Sequence, residues 1–159
     1  MKTLAWIGAV LLTLIIQATL LPLIAYKGIR PDLLLIMVMS AGLLGEKEQG
    51  VGVGFFCGVL QDLASGNIFG LNTLSKMATG YAFGLAESKV FKEHLLLPLL
   101  AGAVATLIHS TVSFMFLAFV GYKMELLPLL SNQVVPFMVY NVIVSIPMHQ
   151  LVYRINKIS

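Results

Sequence analysis

Residues 50–66 read GVGVGFFCGVLQDLASG. Glycine is a poor helix former in water, and an aspartate is expensive in lipid, yet one apolar segment carries several glycines and Asp62. Gly50, Gly54, Gly58 and Asp62 stand four apart, and so do Asn72, Lys76, Gly80 and Gly84 further on. Residues four apart share a helix face, and each row drifts slowly round the helix to form a slanted ridge. Glycine ridges let two helix backbones approach closely where no water competes for the backbone. The stretch therefore reads as a membrane-embedded helix that packs closely on the next one.

The rest of the chain agrees with that solvent. Of 159 residues, 58% are apolar and 11% charged, more apolar surface than a soluble domain of this size hides. The charges cluster between long apolar runs, as in a polytopic helical protein, and the alternating segments of a membrane β-barrel are missing. The fold class expected is all-α, a polytopic six-transmembrane-helix bundle in one integral membrane domain over residues 1–159. Its spans fall at about 3–25, 31–45, 49–65, 70–87, 94–120 and 132–153. The N-terminal run is too long for a signal-peptide core and reads as an uncleaved first span. The second and third spans are short, and a re-entrant hairpin competes for 31–65. The charged connection GEKEQG favours two true spans.

Orientation follows the positive-inside rule. With the N-terminus cytoplasmic, inner segments hold Lys2, Lys47, Lys89, Lys92, Arg154 and Lys157, against Lys27, Arg30 and Lys123 outside. Both termini are thus expected in the cytoplasm. The net charge of +3 suits topology control and points to no nucleic-acid partner. Pro136 and Pro147 are expected to kink the last span, and GYKMELLPLLSN before it is an amphipathic interfacial candidate.

The polar residues within spans are the candidate sites. Spans three and four run in opposite directions, so Asp62 and Lys76 come to similar depth near the outer side, and we expect them to pair directly or through water. The plainer alternative is that Asp62 caps the outer end of span three's connection and touches headgroups. Arg30 and Asp32 flank Pro31 and read first as an interfacial helix start, Asp32 being favoured by the helix dipole. By depth they also lie level with Asp62, Asn72 and Lys76, which leaves a shared outer polar cluster open. His109 and Asn141 lie at one mid-membrane depth, where an interhelical hydrogen bond is the simplest expectation. The three histidines, His94 and His149 included, have no metal-ligand spacing, and Cys57 allows no intrachain disulfide. With no paired intramembrane aspartates, no GxSG and no glycine-lysine phosphate loop, neither an enzyme nor a cofactor is expected.

The order RPDLLLIMVMSAGLLGEKEQG followed by GVGVGFFCGVLQDLASGNIFGLNTLSKMATGY resembles the MreD family of bacterial rod-shape proteins. The residues that carry the resemblance are Pro31 and Asp32, Gly58 and Asp62, Gly66 and Gly70, Leu71 and Asn72, and Tyr81. They cover about a third of the chain, while spans one, five and six agree only in hydropathy and length. The resemblance implies a non-enzymatic scaffold of the cell-wall elongation machinery in the bacterial inner membrane. Its direct partner would be an MreC-like single-span protein. Through that protein it would reach MreB-like filaments and a peptidoglycan polymerase and transpeptidase. The family's fold looks like the substrate-binding components of energy-coupling-factor transporters, so a small-molecule or lipid-binding subunit is the second reading.

Overall fold

A computed structural model describes residues 1–66, 68–86 and 96–157. The elements among these residues are all helices, joined by short non-helical connections. α1 (Lys2–Thr19) is followed by a short 3-10 helix (Leu21–Ile24), then α2 (Leu33–Leu44), α3 (Lys47–Ser65), α4 (Leu71–Ala86) and α5 (Leu96–Val120). Two short pieces, α6 (Leu126–Leu129) and a π-helical turn (Leu130–Val134), run directly into α7 (Val135–Lys157). The expected end of span four at 87, the start of span five at 94, and Lys89, Lys92 and His94 lie outside the described residues. By length and composition three helices suffice to cross a membrane: Lys2–Thr19, Leu96–Val120 and the continuous Leu126–Lys157.

α2 organises the bundle. Pro31 and the extended backbone of Asp32 start it, and Asp32 caps its first turn. Its sequence, LLLIMVMSAGLL, is apolar on every side, which marks a helix surrounded by protein. Leu33 through Leu43 are all buried, in contact with α1, α3, α4, α5 and α7. At 1.5 Å per residue its 12 residues span about 18 Å, well short of a hydrocarbon core of about 30 Å. The outward faces of the enclosing helices carry large apolar side chains, such as Ile15, Phe55, Tyr81, Leu107, Phe119 and Ile143. That surface suits lipid.

α3 and α4 form an antiparallel hairpin whose backbones touch. A Cβ placed on Gly54 would stand 2.6 Å from the Lys76 carbonyl oxygen. Gly50 and Gly80 face each other the same way, Gly58 faces the Thr73 backbone, and Gly84 faces Lys47. Gly42 of α2 joins the seam, with Gly80 O 2.6 Å from its would-be Cβ. The hairpin turn depends on Gly66 (φ +66°), which ends α3, and Gly70 (φ +100°), which precedes α4; both conformations are left-handed and favour glycine.

The last helix is irregular at its start. Pro136 has no amide hydrogen, and its ring crowds the carbonyl four residues back, at Asn132. The chain answers with a wider turn, in which the Val135 amide bonds Leu130 O. The segment expected at the interface is therefore partly a helical extension of α7. Pro147 lies inside α7 without ending it.

Glycine substitutions separate packing from propensity. Gly54→Val or Gly80→Val drives a side chain into backbone, and we expect a loss of about 1–3 kcal/mol or more in unfolding free energy measured in detergent micelles. Gly52 has open space around its would-be Cβ. Gly52→Ala is expected to be neutral or to stabilise by up to about 1 kcal/mol.

Candidate functional site

Burying α2 buries its N-terminus, where the first amides have no partner within the helix. The partners there come from different parts of the chain. Asp32 Oδ1 accepts from the Leu35 amide at 3.0 Å. Gln17 Oε1, from α1, accepts from the Leu34 amide at 3.2 Å. The Asp32 amide donates to Asn141 Oδ1 of α7 at 2.9 Å. Asn141 Nδ2 in turn donates to Thr106 Oγ1 of α5 at 2.9 Å, and Thr106 donates to Gly102 O. The remaining carboxylate oxygen, Asp32 Oδ2, meets Lys76 Nζ of α4 at 2.8 Å. Lys76 also donates to Asn72 Oδ1 at 3.3 Å.

The group links five helices and is almost fully buried. Lys76, Thr106 and Asn141 have 0% exposure, and Asp32 and Gln17 have 5%. A carboxylate is favoured at this spot twice over, by the helix dipole and by the ammonium. Desolvating two charges offsets much of the attraction between them, but removing one partner strands the other.

The expected Asp62–Lys76 pair is corrected here: Lys76 pairs with Asp32. α2 and α4 run parallel, so the start of α2 stands beside the first turns of α4, where Lys76 lies. Asp62 stands nearer the very tip of the hairpin. It accepts from the amides of Gly70, Asn72 and Thr73 at 2.9, 3.0 and 3.1 Å, and from Thr73 Oγ1 at 2.7 Å. With these donors a buried Asp62 caps the start of α4 from across the hairpin, in place of both the pairing and the headgroup-facing cap on its own span. Asn72 bridges the two centres, its amide on Asp62 and its side chain on Lys76. Arg30 lies exposed, outside the buried group.

A second expectation is corrected too. His109 and Asn141 do not bond each other, because both ends of the Asn141 amide are taken by Asp32 and Thr106. On the antiparallel α5–α7 pair, Asn141 faces Thr106, and His109 faces Phe137 one turn further on, with ring centroids 5.9 Å apart. His109 Nδ1 is buried without a hydrogen-bond partner.

Sequence reasoning missed Gln17, Thr106 and Thr73. Gln17 had a signal, an amide within an otherwise apolar first span. Thr106 had a weaker one, its four-residue spacing from Gly102. Also missed was a contact toward the other end of the bundle, where His149 Nδ1 and Ser40 Oγ lie 3.1 Å apart.

The whole arrangement is a set of hydrogen bonds closed on itself, suited to fixing helix positions. Against known proteins, the model of the family described as rod shape-determining protein MreD matches residues 1–158. No curated protein and no solved structure matches.

Unequal costs follow from this geometry. Lys76→Met leaves Asp32 buried beside no cation and is expected to cost about 3–5 kcal/mol in unfolding free energy. Asp62→Ala removes a cap and its helix-start bonds and is expected to cost about 1–3 kcal/mol. Lys27→Ala, on an exposed turn, is expected to change stability by less than about 0.5 kcal/mol.

Proposed function

The chain belongs to the MreD family of rod shape-determining proteins, and on that premise we propose that it acts as a non-enzymatic membrane scaffold of the cell-wall elongation machinery. In this reading it is a multi-pass protein of the bacterial inner membrane with six spans and both termini in the cytoplasm. The Asp32 end of the bundle then faces outward. Its direct partner is an MreC-like single-span protein, and through it the scaffold connects to MreB-like filaments and to the peptidoglycan polymerase and transpeptidase.

The family match over nearly the whole chain carries the reading. The buried polar group supports it. Asp32, Lys76, Asn141 and Thr106 spend their hydrogen bonds on one another and on neighbouring groups of α2, α4 and α5, which favours a structural role over chemistry. The outer faces are apolar, a surface that accepts lipid and a partner's transmembrane helix.

Cell shape tests the proposal directly. Depleting the protein in a rod-shaped bacterium is expected to round the cells, and a plasmid copy should restore the rods. Lys76→Met should fail to restore them, and Lys27→Ala should succeed. Cells that keep their width and shape after clean depletion would overturn the role. Reporter fusions after residues 28, 46 and 122 test the topology, with 28 and 122 expected outside and 46 inside.

A further inference from the structure

Next to the buried group, at the same end of the bundle, α5 and α7 diverge around a cavity of about 270 Å³. Leu71, Phe114, Leu117 and Phe137 supply much of its wall, and the π-helical turn closes one side through Gln133 and Val134. Among the described residues, the polar groups that line it are His109, Ser110, Ser113 and Gln133, and no charged residue does. His109 Nδ1 is a buried nitrogen that lacks a partner. Three observations thus coincide: a cavity, a histidine on its wall whose Nδ1 is buried behind the surface without a partner, and a π-turn, a distortion frequent at functional sites.

We propose that this cavity is a binding site for a neutral, hydroxyl-headed amphiphile drawn from the adjoining leaflet. The absence of charge from the described lining residues disfavours ions and phosphate-headed lipids, which would enter unpaired. A hydroxyl suits a lining of His109, Ser110, Ser113 and Gln133 whichever tautomer the ring takes, since it both donates and accepts. The apolar wall disfavours filling by water alone, because a water needs two to four polar partners. At the ~30 Å³ that a water occupies in the liquid, the cavity takes roughly ten non-hydrogen atoms. That is a head and the first part of a chain, with the remainder left in lipid. Two sources share this chemistry, a monoacylglycerol and an isoprenoid alcohol.

The site goes beyond the scaffold reading and is tested without reference to cell shape. The purified full-length chain in phospholipid nanodiscs is photolabelled with diazirine forms of monodecanoylglycerol and of geraniol, and labelled peptides are mapped by mass spectrometry. Saturable labelling within 109–117 and 124–137 is expected, competed by the unlabelled compound. Ser110→Phe, which fills the cavity, should reduce it at least fivefold. His109→Phe should weaken it about threefold to tenfold, the loss of one hydrogen bond. Thermal unfolding of each variant shows whether it folds. Should Ser110→Phe not fold, His109→Phe and the saturation of the native chain decide the matter. The probe that saturates identifies the source, and equal saturation by both means that the shared hydroxyl and chain suffice. Labelling that does not saturate, that spreads evenly over lipid-facing positions such as Leu11 and Ile15, or that both folded variants retain in full would leave only water or bulk lipid in the cavity and overturn the proposal.

Discussion

A helix whose every face is covered by protein must have its first amides satisfied by protein as well. α2 meets that constraint with Asp32, and the constraint reaches most of the bundle. Asp32 closes the first turn of its own helix and simultaneously holds Lys76 of α4 and Asn141 of α7. Gln17 of α1 and Thr106 of α5 complete the set. In water such a group would gain little, because solvent competes for every bond. Enclosed and surrounded by lipid, each unmade bond costs its full desolvation, so the helices are held in one register.

The α3–α4 hairpin provides the other fixed part. Its glycines bring the two backbones into contact, and Asp62 caps α4 from the opposite strand of the hairpin. Close approach matters for the polar group, since it sets where Lys76 stands relative to α2. Gly54 faces the Lys76 carbonyl itself. The glycine seam and the buried ion pair are thus two views of one packing arrangement: dispersion contacts place α4, and the charge pair locks it to α2.

The sequence made the helical, membrane-embedded class and the polar positions legible, because apolar runs, glycine spacing and lone charges in lipid are strong local signals. Partner choice was harder to read. Asp62 and Lys76 were matched by depth along two neighbouring helices, and depth alone cannot reveal that α2 runs beside α4 and offers Asp32 first. The His109–Asn141 expectation failed for a similar reason. Both residues lie mid-helix, but the antiparallel register of α5 and α7 sets Thr106 opposite Asn141 and leaves His109 against Phe137. The brevity of α2 was visible in the sequence, whereas its complete enclosure depends on long-range packing. The role in rod-shape determination rests on a family match over residues 1–158 and agrees with a resemblance carried by a third of the chain.

The Asp32–Lys76 pair couples α2 to α4. A double-mutant cycle measures that coupling most directly, using unfolding free energies of the native chain, Asp32→Asn, Lys76→Met and the combined variant. A coupling of about 2 kcal/mol or more is expected between Asp32 and Lys76, and a markedly smaller one in the parallel cycle of Asp62 with Lys76. Additive losses for Asp32 and Lys76, or a larger coupling for Asp62 with Lys76, would contradict it.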